Sequence, residues 1–281
     1  MKIKEILENS RKTLKNSKIE DYDIIVKILI EHIFNIDRNK IIMHEEDVAD
    51  SEQYLLYEKA IKKIIDGVPV QYITNSQEFM GLKFYVDEDV LIPQPDTELV
   101  VEEVINKYKL SQCKIMDLCT GSGAIGIAIA KYIEKANIVA TDISQKAIQI
   151  SKLNAEKNLI REKISFVQSN LFENINESDF DVIVSNPPYI ETDVIDELSE
   201  QVKHEPRIAL DGGEDGLNFY RLIIEDAWKF LKKDGKLFLE IGYNQKEAVE
   251  ELLKNNGNYC NIYSKKDLGG NDRIVVATAR R

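Results

Sequence analysis

Hydrophobic residues recur along this chain with two different periods. Up to about Thr74 they follow a helical spacing, most clearly in residues 23–34 and 54–65. From residue 98 onward, short apolar runs alternate with helical stretches. The change predicts a small helical bundle over residues 1–75 and an α/β domain over residues 98–281.

Between these two regions, residues 78–92 alternate apolar and polar positions as strands do, and Gly81 stands at a turn between Phe79 and Phe84. We therefore predict a β-hairpin linker over residues 76–97. Thr97 or Asp96 then has a side chain that can cap the helix that follows.

Short apolar runs in the second domain predict five strands, with helices between them, at residues 114–118, 138–142, 164–168, 181–185 and 235–241. This rhythm is typical of a doubly wound, mostly parallel sheet. Residues 259–263 and 274–277 are expected to add a closing pair of strands. The polar segment 191–216, interrupted by Pro206 and Gly212, is either a lid over a pocket or an ordinary long connection.

The composition indicates a folded, acidic protein. The 281 residues are 43% hydrophobic, which is enough for two domains with cores. With 37 Lys and Arg residues against 49 Asp and Glu residues, the net charge is −12. Because such a chain repels phosphate backbones, we expect no direct nucleic-acid binding unless a local basic patch supplies it.

Cysteine and histidine positions give no sign of a metal site. Cys113, Cys119 and Cys260 show neither metal-ligand spacing nor an even count for disulfides. We therefore expect reduced thiols, no metal and a cytoplasmic monomer. No signal-peptide core and no membrane-spanning stretch is visible, so no membrane contact is expected.

The residues with the most distinctive chemistry follow the predicted strand 181–185. They are Asn186, Pro187, Pro188 and Tyr189. Asn186 offers a side-chain carbonyl, the prolines make a stiff turn that exposes backbone carbonyls, and the Tyr189 ring offers a flat face. Such a turn can hold a planar –NH2 group between two acceptors. Taken alone, it could instead be a turn that only ends a strand.

A second turn, residues 119–123, lies between a predicted strand and an apolar helix. Its glycines let the backbone approach a ligand closely, and the helix N-terminus presents free N–H groups. Asp142, at the end of the next strand, is placed to accept hydrogen bonds from both hydroxyls of a ribose, or else to cap the helix near Ser144. The pattern indicates a nucleoside site.

Two nucleoside cofactors fit this pattern in principle. Gly121, Gly123 and Gly126 match the dinucleotide fingerprint, with an acid about twenty residues later. Asp117, however, would face a pyrophosphate unfavourably, whereas it suits the ammonium and sulfonium of S-adenosylmethionine. An amino-accepting turn also has no evident part in hydride transfer. We therefore favour methyl transfer.

With the stretch Leu91-Ile92-Pro93-Gln94-Pro95-Asp96-Thr97-Glu98, these motifs resemble the peptide chain release factor N5-glutamine methyltransferases, the PrmC/HemK family. Matching residues continue through 240–245 and 267–273, so the resemblance covers nearly the whole chain. It implies a Rossmann-like class I S-adenosylmethionine-dependent methyltransferase domain and an N-terminal domain that recognises the substrate.

The resemblance also implies the reaction. A methyl group would pass to the side-chain amide nitrogen of the glutamine in the Gly-Gly-Gln motif of peptide chain release factors, giving N5-methylglutamine and S-adenosylhomocysteine. The Asn186 side-chain oxygen and the Pro187 carbonyl would hold the two amide hydrogens. Pro188 completes the substrate-binding turn, and Tyr189 would pack beside the amide plane. No dedicated base is required, because the nitrogen becomes acidic once it is methylated.

For the cofactor, we expect the 119–123 turn to wrap the methionine part, Asp142 to bind the ribose, and Asn170 with Leu171 to border the adenine. Asn170 could instead make a turn. The predicted cofactor-binding residues are Asp117, Cys119, Thr120, Gly121, Ser122, Gly123, Asp142, Asn170, Leu171 and Asn186.

Two positions depart from the family pattern. Gln94 stands where arginine is usual, which leaves one interaction at the linker open. Cys119 stands where glycine is usual, which predicts a non-glycine backbone conformation there. Two rival functions also remain: an N-methyltransferase acting on adenine or guanine in nucleic acid, and a nucleotide-binding module without catalysis. The acidic charge argues against the first, and the intact Asn-Pro-Pro-Tyr turn against the second.

Overall fold

The computed structural model describes residues 1–280, which form two compact units. One consists of residues 1–75 with 199–204, and the other of residues 76–198 with 205–280. The helices are α1 (Ile3–Asn16), α2 (Tyr22–Phe34), α3 (Ser51–Ile65), α4 (Val70–Thr74), α5 (Glu98–Tyr108), α6 (Ala124–Tyr132), α7 (Gln145–Lys157), α8 (Glu200–Lys203), α9 (Asn218–Phe230) and α10 (Lys246–Asn256). The strands are β1 (Gln77–Phe79), β2 (Leu82–Phe84), β3 (Cys113–Leu118), β4 (Ala136–Asp142), β5 (Ile164–Gln168), β6 (Phe180–Ser185), β7 (Leu231–Glu240), β8 (Tyr259–Lys266) and β9 (Asp272–Ala279).

The first unit packs α1–α4 around an aliphatic core. On α2, Val26, Leu29 and Ile30 are completely buried, at the spacing that places side chains on one face of a helix. Asp50 caps α3 by accepting hydrogen bonds from the backbone N–H groups of Glu52 and Gln53. Both segments predicted as amphipathic helices are therefore helical in the structure.

The predicted hairpin is present but shorter than expected. β1 and β2 pair antiparallel, and the turn residues Met80 and Gly81 both have positive φ, as a tight hairpin turn requires. The prediction of strands as far as residue 92 was wrong beyond Phe84, because residues 85–94 form no strand. The alternation there comes from an irregular segment that buries Val86 and Val90.

The second unit is built on a seven-stranded sheet of order β5-β4-β3-β6-β7-β9-β8. The pairs from β5 to β7 are parallel, and β9 runs antiparallel to both β7 and β8. The predicted doubly wound sheet with a closing pair of strands is thus confirmed. Within residues 1–280, no helix has both the length and the apolar composition needed to cross a bilayer.

The strand register brings the predicted motifs to one edge of this sheet. Leu118 at the end of β3 pairs with Thr141 on β4 and with Ser185 on β6. Asp142 pairs in turn with Gln168 on β5. The residues that follow these positions therefore leave the sheet side by side, at the carboxyl ends of parallel strands, where such sheets bind ligands.

Candidate active site

A cavity opens at this edge and contains about 840 Å³ of space, part of which is open to solvent. Seven of the predicted site residues line it: Cys119, Gly121, Asp142, Asn170, Leu171, Asn186 and Pro188. The 119–123 turn and the proline turn therefore face the same space. The other predicted residues do not belong to the lining, namely Asp117, Thr120, Ser122, Gly123, Pro187 and Tyr189.

In the 119–123 turn, every second residue has a backbone in the left-handed region. Cys119, Gly121 and Gly123 have φ values of 61°, 53° and 86°. The prediction of a non-glycine conformation at Cys119 was therefore wrong, because this cysteine adopts the backbone that favours glycine. The turn is held by two hydrogen bonds, from Thr120 N to Thr141 O at 2.9 Å and from Gly123 N to Thr120 O at 2.8 Å.

Asp117 lies beneath this turn and is fully buried. Its Oδ2 accepts hydrogen bonds from Thr120 Oγ1 at 2.5 Å and Gly126 N at 2.9 Å. A Cβ at Gly126 would lie 2.8 Å from that oxygen, so only glycine lets the helix approach the carboxyl. Burial raises the pKa of Asp117 to about 7, against the opposing effect of these two hydrogen bonds. Its Oδ1 is buried without a hydrogen-bond partner among the described residues.

Asp142 ends β4 and lines the cavity directly. Its Oδ2 accepts from Gly121 N and its Oδ1 from Ser144 N, each at 2.9 Å. Burial raises the pKa of this carboxyl, and the backbone N–H groups oppose the rise. Helix α7 is capped instead by the Ser144 hydroxyl, which accepts from Ala147 N at 3.2 Å. Asp142 thus organises the turn and still presents acceptor capacity to the cavity.

The cavity wall is acidic and apolar. Its charged lining residues are Asp89 and Asp142, and Asp89 is paired with Lys146 at 2.8 Å. Apolar side chains supply most of the remaining wall, including those of Val90, Leu91, Ile143, Leu171, Ile208 and Phe219. Burial also raises the pKa of the Cys119 thiol to about 12, so this thiol is neutral. Such a wall suits a cation that carries a flat apolar group.

Asn170 and Leu171 follow β5 at the far side of the cavity. The Asn170 side chain donates to Glu173 Oε1 at 2.7 Å, and Glu173 N donates back to Asn170 O at 3.1 Å. Leu171 has a φ of 46°. The turn that was considered as an alternative is therefore present, and it holds both residues in the cavity wall.

On the opposite side, Asn186 begins the proline turn. Its Nδ2 donates to Thr97 Oγ1 at 3.2 Å. Within residues 1–280, neither Asn186 Oδ1 nor Pro187 O accepts a hydrogen bond. The expectation that Thr97 or Asp96 caps α5 was wrong: Thr97 occupies the N-cap position without a capping bond, and Asp96 pairs with Arg273 at 3.0 Å.

The backbone after this turn is tightly enclosed. Gln245 Nε2 donates to Tyr189 O at 2.9 Å. A Cβ at Gly216 would lie 2.4 Å from the same carbonyl oxygen, so that position requires glycine. Ile190 also pairs with the 191–216 segment, donating to Leu210 O and accepting from Gly212 N. The second half of that segment therefore supports the turn, and its Pro206, Ile208 and Ala209 line the cavity.

A buried ionic cluster lies behind Thr97 and Asn186. Glu240, the last residue of β7, is 2% exposed, and burial raises its pKa to about 7. Interactions with Thr97, Arg273 and Asn186 oppose that rise. The Arg273 guanidinium donates at 3.0 Å to Asp267 and forms an ion pair of the same length with Asp96. The family stretches 91–98, 240–245 and 267–273 thus meet at the proline turn.

The residues present fit S-adenosylmethionine. A Cβ at Gly121 would meet no atom within 4 Å, so the turn leaves open space for a ligand. Asp142 faces that space, and Asp117, which is partly ionised near neutral pH because its pKa is about 7, lies beneath it. Both carboxyls favour a sulfonium and an ammonium over a pyrophosphate. No group of three or more His, Cys, Asp or Glu in the described part of the chain could hold a metal ion.

Three residues that the structure brings to the turn or the cavity have no site role predicted from the sequence. Thr97 is predicted only as a possible helix cap, and Gln245 only as part of a stretch that resembles the family. Phe219 lies at the start of α9 and carried no signal. No pattern in the sequence indicates that the Thr97 side chain bonds to Asn186 and not to the backbone of α5. This partner follows only from the position of the proline turn in the fold.

Comparison with known proteins agrees with this architecture. The family model of the PrmC N-terminal domain matches residues 5–74, and that of the methyltransferase small domain matches residues 94–214. In the solved structure of a methyltransferase from Pyrococcus furiosus, 97% of that chain superimposes on 82% of this one, with a TM-score of 0.55 at 20% identity. The predicted Rossmann-like class I methyltransferase fold is thereby confirmed.

Two curated relatives extend along most of the chain. The release factor glutamine methyltransferase of Clostridium acetobutylicum is 40% identical, covering 99% of this chain and 98% of its own length. That of Thermodesulfovibrio yellowstonii is 39% identical, covering 88% of this chain and 89% of its own. On this evidence the chain belongs to the release factor glutamine methyltransferase family.

Proposed function

We propose that this chain transfers a methyl group from S-adenosylmethionine to the side-chain amide nitrogen of the glutamine in the Gly-Gly-Gln motif of peptide chain release factors. Membership of the family supports this reaction and this substrate. The structural observation that carries the proposal is that Asn186 and Pro188 line the same cavity as Asp142. The proposed acceptor for amide hydrogens and the proposed acceptor for ribose hydroxyls therefore line one cavity.

S-adenosylmethionine supplies a methyl carbon made electrophilic by its sulfonium. Asp142 would bind the ribose, because each carboxylate oxygen can accept more than the one backbone N–H that it receives here. The turn of Cys119, Thr120, Gly121, Ser122 and Gly123 would enclose the methionine part. Asn170 and Leu171 would border the adenine, and Asp117 would act through its charge from beneath the turn.

An amide nitrogen is a poor nucleophile, because its lone pair is delocalised into the carbonyl. Catalysis must therefore come from positioning and from preorganised dipoles. Asn186 Oδ1 and Pro187 O would accept the two amide hydrogens and raise electron density on the nitrogen. Tyr189 would pack beside the amide plane. The proton would leave after methyl transfer, so the site requires no dedicated base.

The helical unit would recognise the release factor. In support, it exposes apolar side chains that its own core does not use: Ile42 is 80% exposed and Met43 is 79% exposed. We also propose that the enzyme is a cytoplasmic monomer without direct affinity for nucleic acid. The net charge of −12 and the absence of basic residues from the cavity lining support the last point.

The test is to incubate the purified protein with S-adenosylmethionine and unmodified release factor, and to locate any added methyl group by peptide mass spectrometry. A gain of one methyl group on the Gly-Gly-Gln glutamine is expected. A release factor with glutamate in place of that glutamine is the matched control and should remain unmodified. Methyl groups found on RNA or DNA instead would favour the nucleic-acid rival.

The Asn186→Ala variant separates catalysis from binding. It should lose transfer while calorimetry shows S-adenosylmethionine binding close to that of the unaltered protein. Turnover retained by this variant would remove the role assigned to Asn186.

A further inference from the structure

We infer that Thr97 is a positioning residue for methyl transfer: its hydroxyl accepts from Asn186 Nδ2 and holds that side chain with Oδ1 left for the acceptor amide. The inference rests on the function proposed above. It adds a residue that the reaction needs although that residue does not touch the reacting atoms.

The need for such a residue follows from the shape of asparagine. The oxygen and nitrogen of a carboxamide are almost equal in size, so the turn alone would accept Asn186 in either orientation. Only one orientation presents an acceptor to the substrate. The hydrogen bond from Asn186 Nδ2 to Thr97 Oγ1, at 3.2 Å, selects it. With the nitrogen held at Thr97, Oδ1 remains able to accept, and Asn186 itself lines the cavity.

A hydroxyl can donate as well as accept, so a second group must favour the amide nitrogen over the amide oxygen at Thr97. The buried Glu240 carboxyl supplies this preference, because Thr97 and Asn186 both favour its charged form. A carboxylate attracts an amide nitrogen and repels an amide oxygen. Its Oε2 has no hydrogen-bond partner among the described residues, so this effect on Asn186 is electrostatic.

The ionic cluster keeps Glu240 suited to this role. Arg273 favours its charged form, while burial and the neighbouring Asp96 disfavour it. Arg273 is itself fixed by Asp96 and Asp267. Because Asp96 is the immediate neighbour of Thr97, the same ion pair anchors the backbone that carries the hydroxyl. These contacts form a continuous set from Arg273 to Asn186.

A purely local role for Thr97 does not account for these contacts. It stands at the N-cap of α5 with helical φ and ψ of −68° and −20°, because the 3-10 turn Pro95–Thr97 leads directly into this helix. Here the side chain makes no capping bond. The residue is only 5% exposed, so solvent does not satisfy the hydroxyl either. Its side-chain hydrogen bond is made with the proline turn.

The experiment compares steady-state kinetics of the unaltered enzyme with those of Thr97→Val and Thr97→Ser on unmodified release factor. Valine keeps the volume and removes the hydroxyl, whereas serine keeps the hydroxyl. We expect Thr97→Val to lower kcat by about 10- to 100-fold, the usual cost of losing an outer orienting contact. KM for both substrates should stay within about twofold, and Thr97→Ser should retain at least about a third of kcat.

Thr278→Val is the matched control. Thr278 is also buried, at 4% exposed, and its hydroxyl also accepts a side-chain hydrogen bond, from Lys236 Nζ at 2.9 Å. It lies outside the cavity lining. The kcat of the Thr278→Val enzyme should remain within about twofold of that of the unaltered enzyme. If Thr97→Val does not fold, as judged by S-adenosylmethionine binding, Thr97→Ala takes its place with the same expected loss.

Several outcomes would overturn the inference. A Thr97→Val enzyme with unaltered kcat would do so, as would a Thr97→Ser enzyme as slow as the valine variant. A loss confined to KM or to thermal stability would show that Thr97 is merely structural. Failure of the proposed function is distinguishable from all of these, because the unaltered enzyme would then place no methyl group on the release factor.

Discussion

Gln245 Nε2 donates a hydrogen bond of 2.9 Å to the backbone carbonyl of Tyr189, which ends the proline turn. The other end of the same amide, Oε1, accepts from Gly242 N at 3.0 Å. One buried side chain thus ties the loop after β7 to the backbone that carries Asn186 and Pro187. Because positioning supplies most of the catalysis in the proposed mechanism, we expect this tie to affect the rate.

Gln245→Glu should slow methyl transfer. The substitution keeps the acceptor for Gly242 and replaces the donor to Tyr189 with an oxygen. An oxygen facing a carbonyl repels it, so the turn should shift. We expect kcat to fall by about 10- to 100-fold with little change in S-adenosylmethionine affinity, measured by steady-state kinetics and calorimetry.

Gln53→Glu provides the control for this prediction. In the helical unit Gln53 Nε2 donates to Ile33 O at 3.0 Å, which is the same kind of contact in a region without predicted catalytic residues. This variant should lose stability and keep kcat. Equal losses of kcat in the two variants would contradict a specific role for Gln245.

Asp142→Asn should weaken cofactor binding. The amide keeps the shape of the side chain but removes the negative charge and reduces the acceptor capacity for the ribose hydroxyls. We expect the Kd for S-adenosylmethionine to rise by about 10- to 100-fold, as for the loss of charge-assisted hydrogen bonds. Asp89→Asn also removes a carboxylate from the lining, but one already paired with Lys146, so its Kd should change by less than about threefold. Similar effects of the two substitutions would argue against ribose binding by Asp142.

Cys119→Val should destabilise the protein. Cys119 has a φ of 61°, and β-branched side chains tolerate that region poorly. We expect the free energy of unfolding to fall by about 2 kcal/mol, measured by denaturant titration without cofactor. Cys113→Val places the same side chain in strand β3, where β-branching is favoured, and should cost less. Cys119→Gly should change stability by less than about 1 kcal/mol, since relief of strain and added chain entropy oppose each other.

Glu205 predicts a pH dependence of stability. This residue is 8% exposed, and its Oε2 accepts from Ile92 N at 2.9 Å. The bond joins two segments that contribute to the cavity lining, one through residues 89–91 and the other through Pro206, Ile208 and Ala209. Burial raises the pKa of Glu205 from 4.5 to about 7. The folded protein therefore holds this proton more tightly than the unfolded chain does, and the stabilisation is lost as the pH rises from about 4.5 to 7.

Glu205→Gln should remove that loss while keeping an acceptor for Ile92. The stability of the variant relative to the unaltered protein should therefore increase by about 1–3 kcal/mol between pH 4.5 and pH 7.5. Denaturant unfolding at several pH values gives the comparison. If the free energy of unfolding changes with pH equally in the two proteins, Glu205 does not titrate in this way.

Much of the fold could be predicted from the sequence because its strands are short apolar runs between polar loops. Phe180–Ser185 is one such run, and the stiff proline turn after it marks where the strand must end. Parallel strands align their carboxyl ends, so placing Asn186, Asp142 and the 119–123 turn at one edge required only the strand order.

Contacts made by irregular segments could not be predicted in this way. The segment after β2 alternates like a strand although it lines a cavity, because periodicity reports burial and not hydrogen bonding. Thr97 has the sequence context of a helix cap, but its hydroxyl accepts from Asn186 in the proline turn after β6. The turn imposes a left-handed backbone on Cys119. The geometry that brings Gly121 N to the Asp142 carboxylate outweighs the preference of one cysteine for other backbone conformations.

The most direct test of the account is a crystal structure of the enzyme with S-adenosylhomocysteine and a release factor. We predict that the glutamine amide nitrogen lies about 2.7–3.2 Å from both Asn186 Oδ1 and Pro187 O, on the side of the turn that faces the cofactor sulfur. A glutamine amide bound elsewhere, or a sulfur on the far side of the cavity from the proline turn, would contradict it.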